Sequence, residues 1–311
     1  MVSEIMLYVE VAGCPTICQH CWAQGVPYTA MPLSDITYVL EQANAVCAAA
    51  GVAFSAYPMH KVAAHPEASA VLRLFNTFHG DRTRDADRPL YEPLSTTGVP
   101  LALRPDWEEV LANCRELGTT VVWPAVHGYQ ATHDRMVHRA GAYDETLVGI
   151  DRARLAGMEV SRNIFLTREN IAEFDKVISN LLEHGVTHFA IETASCLPTA
   201  RSRRYEALRP TLADLEPLLE RVQKLPGPFF HDEKWLQLDA CTERSYMRQA
   251  LEESWPSPVE PAWDGSYLVC GPNLDLYWGV AGRCRQCYGN LRRDEAQRVL
   301  QAAVLAERSE D

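Results

Sequence analysis

Along the first 225 residues, short apolar runs of strand length give way to longer stretches whose apolar positions recur at helical spacing. The runs at 5–11, 52–55, 94–96, 120–126, 159–166 and 188–192 read as strands. Between them, Ser34 is placed to cap a helix running to Gly51, residues 107–117 form another, and 169–184 carry an amphipathic pattern that Gly185 stops. Six strand-then-helix units predict an α/β fold, a partial (β/α)6 TIM-like barrel with its parallel sheet covered by helices. Ligands in such folds bind at the carboxyl ends of the strands.

Two stretches break the rhythm. Residues 75–91 turn polar and charged, as a surface loop or lid between the second and third units. From about residue 225 the sequence KLPGPFF interrupts the pattern, followed by a helical stretch at 239–253, the proline-rich SWPSPVEPAW, two short strands around Tyr267 and Leu276, and a last helix from Arg293. The division is a barrel at 1–225 and a small α+β C-terminal domain at 226–311.

Composition narrows the setting. The chain has 311 residues, 47% apolar and 23% charged, enough to bury a large core. It contains no apolar run of membrane-spanning length, and it enters a strand directly with no signal-peptide pattern, so the expectation is a cytoplasmic protein without a membrane partner. A net charge of −12 disfavours nucleic acid as a partner. Ten cysteines spread over a chain of this size favour metal or redox chemistry over a disulfide framework.

Cys14, Cys18 and Cys21 lie just past the first strand in the run CPTICQHC. Their spacing lets one tight loop turn three thiolates toward a single metal centre. Structural zinc is closed by four protein ligands, usually in two pairs. A four-iron cluster held by three cysteines leaves one iron open to a small molecule. His20 is a conceivable fourth ligand but would have to fold back beside Cys21.

This loop resembles the CxxxCxxC signature of the radical S-adenosylmethionine (SAM) superfamily. Further segments resemble its branch with SPASM or Twitch C-terminal domains: HGYQATHDRMVHRAGAYDETLVGIDRARLAGMEV, LTRENIAEF, WDGSYLVC and CYGNLR. The resemblance implies a [4Fe-4S] cluster on Cys14, Cys18 and Cys21, with SAM as cofactor. It also implies a ring at His20 near the adenine and SAM contacts at Thr96 or Thr97 after the third strand. Arg135 or Arg139 would face the SAM carboxylate, and Asn163 would stand on the fifth strand. After the second strand the family carries a GGEP-like run; here Ser55, Ala56, Tyr57 and Pro58 stand in its place without a carboxylate. Variant SAM binding, with Ser55 and Tyr57 at that position, is the reading that follows.

Cys241, Cys270, Cys284 and Cys287 form a second set. Four ligands would close a site around either an auxiliary iron–sulfur cluster, as in Twitch domains, or structural zinc, the alternative being four unligated cysteines. Cys47 and Cys114 fall on helices and read as buried apolar residues. Past the sixth strand, Glu192 and Cys196 are candidate catalytic residues, Cys196 as a hydrogen-atom donor. His127, His133 and Asp134 have possible chemistry, although HD in THDR also reads as a helix-start cap.

The function expected from the resemblance is reductive SAM cleavage to a 5′-deoxyadenosyl radical that abstracts hydrogen from an unactivated carbon. The substrate would be a ribosomal peptide or other natural product, undergoing a crosslink, epimerisation or oxidation. The partners would be a reductant such as flavodoxin or ferredoxin and, for a peptide, a separate leader-binding protein. The alternatives are a dehydrogenase or epimerase of a small sugar or amino acid derivative, a non-catalytic Fe-S/SAM-binding module, and a zinc-stabilised structural domain.

Overall fold

The computed structural model describes residues 4–19, 29–58, 61–78, 94–116, 118–186, 188–192, 208, 210, 214–215, 217–218, 221, 266–278 and 286–309. The elements run β1 (Glu4–Val9), α1 (Leu33–Ala50), β2 (Ala53–Pro58), α2 (Ala68–Thr77), β3 (Leu94–Thr96), α3 (Val99–Leu103), α4 (Trp107–Glu116) and β4 (Val121–Val126). They continue with α5 (Ala131–Val137), α6 (Ala142–Leu155), β5 (Glu159–Phe165), α7 (Phe174–Glu183), β6 (His188–Glu192), β7 (Ser266–Cys270), β8 (Asp275–Trp278), β9 (Gln286–Asn290) and α8 (Ala296–Ser309). The first six strands alternate with helices, and the architecture is the partial barrel that the periodicity predicts.

Alternation along β1 sorts its side chains into two interiors. Ile5, Leu7, Val9 and Val11 enter the core between sheet and helices, against Ile36, Val39 and Leu40 of α1. Glu4, Met6 and Tyr8 take the opposite face, into the barrel, where the Ser55 hydroxyl donates to Glu4 Oε1 at 2.6 Å and Tyr57 stacks on Tyr8. Val122, Val126, Val160, Ile164, Phe189 and Ile191 supply the helix-facing layer of a parallel sheet ordered β3-β4-β5-β6. Each fully buried side chain of this kind contributes about 1.5–3 kcal/mol. One continuous core joins this sheet to that of β1.

Several boundaries differ from the sequence reading. α1 starts after Pro32 with no side-chain cap, because Ser34 already lies inside its first turn, while Gly51 closes it in the left-handed conformation as expected. The last helix begins three residues later than Arg293, since Asn290 Oδ1 accepts the backbone N–H groups of both Arg292 and Arg293 and holds them in a turn. The helical stretch at 239–253 lies outside the described residues, as does most of the polar segment at 75–91.

The C-terminal strands extend the barrel sheet. β7 pairs in parallel with β1, and β8 and β9 follow as antiparallel neighbours, giving the order β2-β1-β7-β8-β9. α8 packs on α1 and β9. The sequence reading sets 226–311 apart as its own domain; the strands of that segment share the core of β1, and the 225/226 boundary itself lies outside the described residues.

Candidate metal centre and barrel mouth

Chain direction places the end of β1 at the carboxyl edge of the sheet, and the cysteine loop leaves from there. The base of the loop is closed by an isolated bridge between Ala12 and Ala30 and by hydrogen bonds from Gly13 N to Thr29 O and from Met31 N to Val11 O. Its far side hangs on the last turn of α5: Ile17 N donates to Val137 O and Gln19 N to Met136 O, both at 2.9 Å. A helix end leaves carbonyls without intrahelical partners, and here the loop takes up two of them.

Within this frame the Thr16 hydroxyl stands between two sulfurs, 3.1 Å from Cys14 Sγ and 3.7 Å from Cys18 Sγ. Cys18 is buried with Val99, Val137 and Ala142, whereas Cys14 is half-buried. His127, past the end of β4, brings Nε2 to 3.9 Å from Cys18 Sγ. Its ring stacks on Phe165 with centroids 5.2 Å apart, and its backbone N–H donates to His133 Nδ1 at 3.2 Å.

Close backbone contact fixes the wall beneath Cys18. Gly98 has φ +80°, and a Cβ on Gly149 of α6 would lie 2.3 Å from the Gly98 carbonyl oxygen. Only glycine at 149 admits this approach, which seats the start of α3 against α6. Asp134, midway along α5, accepts the N–H groups of Gly141 and Tyr143 at 2.6 and 2.9 Å. Its carboxylate therefore caps the following helix, α6, rather than its own.

The sequence-predicted SAM residues are dispersed. Ser55 is buried on Glu4, and Tyr57 on Tyr8 lies two residues nearer the mouth. Thr96 accepts the Gly98 N–H at 3.2 Å in a local turn, while the Thr97 hydroxyl is buried with no hydrogen-bond partner. Arg135 is engaged by Glu169 at 2.7 Å, and Arg139 binds both oxygens of Glu145 at 2.6 and 2.8 Å, so both guanidiniums are already paired with carboxylates. In the β-sheet register Asn163 stands opposite Ala125 and Ala190, and Glu192 opposite Phe165. His20, Cys21 and Cys196 lie outside the described residues.

The second cysteine set is not brought together among the described residues. Cys270 pairs with Leu276, is fully buried in the helix-facing core and lies 3.6 Å from the Gly271 carbonyl; Cys287 pairs with Tyr277 and is exposed. Burial pushes the Cys270 thiol well above its ordinary range, with Asp275 and Glu10 adding to the shift. Cys241 and Cys284 lie outside the described residues.

Glu10 and Thr16 went unremarked in the sequence reading. A lone acid inside the apolar run LYVEVAG was the available signal for Glu10; Thr16 had none beyond its place between the first two cysteines. Glu10 is 2% exposed, its Oε1 has no hydrogen-bond partner, and burial raises its pKa against an opposing pull from Lys61.

The donor set suits an iron–sulfur cluster: two cysteine sulfurs share one hydroxyl on a loop pinned at both ends, at the ligand-binding edge of the barrel. No protein-family model matches the chain. An AdoMet-dependent heme synthase of Methanosarcina barkeri is 22% identical over 263 residues, which cover 83% of this chain and 67% of that protein. Among solved structures, native anSMEcpe with bound AdoMet aligns over 96% of this chain and 82% of its own, with a TM-score of 0.58 and 12% identity. The same protein with bound AdoMet and the Cp18Cys peptide aligns over the same shares with a TM-score of 0.55 and 13% identity. The chain thus shares its fold with anSMEcpe and is similar in sequence to an AdoMet-dependent heme synthase.

Proposed function

We propose that the chain is a radical SAM enzyme that removes a hydrogen atom from an unactivated carbon of a peptide or other natural product. Its cofactors are SAM and a [4Fe-4S] cluster held by Cys14, Cys18 and Cys21. The observation that carries this reading is the pair of sulfurs around the Thr16 hydroxyl, on a loop anchored to α5.

When bound, the cluster supplies the electron that cleaves SAM to methionine and a 5′-deoxyadenosyl radical. The residues of this chain hold and insulate that chemistry. Thr16 fixes the spacing of Cys14 and Cys18, and the apolar contact of Cys18 with Val99, Val137 and Ala142 keeps water from one side of the site. His127 Nε2, when it carries the ring proton, donates to the Cys18 sulfur; hydrogen bonds to cluster sulfurs are one of the levers that set reduction potential. The Phe165 ring fixes the orientation of that imidazole.

A peptide substrate is supported by the Cp18Cys peptide bound in anSMEcpe. The likeness to a heme synthase supports a small-molecule substrate as a second reading. An external reductant such as flavodoxin or ferredoxin completes the system. Of the four C-terminal cysteines expected to hold a Twitch-like auxiliary cluster, Cys270 is buried in the core, which leaves Cys241, Cys284 and Cys287 as its ligands.

Anaerobic purification followed by iron and sulfide analysis tests the assignment. Wild type is expected to hold at least about four irons per chain and to form 5′-deoxyadenosine from SAM under reduction. The Cys14→Ala, Cys18→Ala, Cys21→Ala triple variant is expected to lose about four irons and all 5′-deoxyadenosine. A wild-type protein with no iron after reconstitution would overturn the proposal. With candidate peptides added, a mass change of about one or two hydrogens separates peptide from small-molecule chemistry.

A further inference from the structure

Glu10 and Glu4 share the barrel-facing side of the first strand, and they differ in how their charge is met. The Glu4 carboxylate takes the Ser55 hydroxyl at 2.6 Å. Glu10, at the mouth, has an Oε1 with no hydrogen-bond partner at 2% exposure. Lys61 acts on it electrostatically without closing an ion pair. Burial favours the protonated acid, and a cation that pairs with Glu10 would stabilise the carboxylate in its place.

The surroundings define that partner. Next below Glu10 on the same face, Tyr8 and Tyr57 stack with ring centroids 5.4 Å apart. A carboxylate beside aromatic rings suits a cationic nitrogen, which donates a charge-assisted hydrogen bond to the carboxylate and is drawn to the ring faces. Residues 55–66, which leave the adjoining strand at the same edge, contain no acid. Arg135 and Arg139 are occupied by Glu169 and Glu145, so neither is available to neutralise Glu10.

We propose that Glu10, with the stacked Tyr8 and Tyr57 beside it, forms a subsite for a primary ammonium group at the mouth of the barrel. Two ligands can bring that group: the methionyl end of SAM, or an amine-bearing substrate. The first source rests on the radical SAM reading; the subsite itself does not.

Equilibrium binding to the cluster-reconstituted protein distinguishes them. SAM carries the ammonium group and 5′-methylthioadenosine lacks it. If SAM is the source, Glu10→Gln weakens SAM by about ten- to a hundredfold and leaves 5′-methylthioadenosine unchanged. Glu4→Gln, on the same face but already satisfied by Ser55, leaves both affinities at wild-type values and controls for damage to the barrel. If the substrate is the source, SAM affinity is unchanged, and n-butylammonium gives an NMR saturation-transfer signal with wild type, with or without SAM, that Glu10→Gln abolishes. Glu10→Gln matching wild type in both arms would overturn the proposal. Failure of wild type to bind SAM at all would count against the radical SAM reading alone, because the n-butylammonium arm still decides the subsite.

Discussion

The N-terminal and C-terminal cysteines look alike as sequence and differ as structure. Cys14 and Cys18 share the Thr16 hydroxyl on a loop tied to α5, one sulfur half-buried and the other against a small apolar wall. Cys270 is wholly buried on the helix-facing side of β7, and Cys287 is exposed on β9. Strand alternation separates the second pair because Cys270 is in register with Leu276 and Cys287 with Tyr277, the next residue along β8. A loop can turn several sulfurs to one point, whereas a pleated sheet sends side chains one register position apart to opposite faces. Spacing alone is therefore a stronger ligand signal in CPTICQHC than in the C-terminal set.

Matched substitutions test that contrast most severely. Cys18→Ser is expected to strip iron from the purified protein and abolish 5′-deoxyadenosine formation. Cys270→Ser is expected to keep the iron of the barrel site and lower stability by about 1–3 kcal/mol, because it buries a hydroxyl in an apolar layer. Iron loss in Cys270→Ser comparable to that in Cys18→Ser would show that both cysteines bind metal and erase the distinction. Chemical denaturation and iron analysis of the two variants decide it.

The wall behind Cys18 offers the next test. Gly149→Ala places a methyl group 2.3 Å from the Gly98 carbonyl, so α3 and α6 must separate. We expect a loss of about 1–3 kcal/mol, together with faster release of iron, since Val99 and Ala142 on those helices line Cys18. Unchanged iron release in a destabilised Gly149→Ala would show that the wall is not needed by the centre. Release can be followed as bleaching of cluster absorbance under a chelator.

How legible these differences were follows from the range of the interactions. The six strands and most helices could be read because alternation and helical spacing are local, and because Gly51 and Gly185 stop helices where they stand. The cysteine loop could be read for the same reason. The placement of β7 against β1 could not, since it joins residues far apart in the chain and leaves no periodic mark. Asp134 read as a helix-start cap, and it is one, but for α6 rather than for α5, a choice made by the turn at His138 to Gly141. Arg135 and Arg139 stood as candidates for the SAM carboxylate because sequence does not show which acid a guanidinium meets; Glu169 takes the first and Glu145, in the following helix, the second.

Alkaline pH gives a smaller effect that isolates the buried thiols from the loop. Burial pushes Cys47 up to about 11 and Cys114 up to about 12, from an ordinary value of 9.0, with Arg104 drawing Cys114 slightly back. In the unfolded chain these thiols ionise near 9.0, while the folded protein keeps their protons. The native state thus binds more protons over that interval, and stability falls as pH rises above 9.0, the Cys114 contribution continuing to about 12. Cys114→Ala removes one such group, so its denaturation midpoint should decline less than that of wild type between pH 9.0 and about 11, whatever its stability at neutral pH. Parallel curves for the two proteins would mean that Cys114 ionises in the fold as easily as outside it.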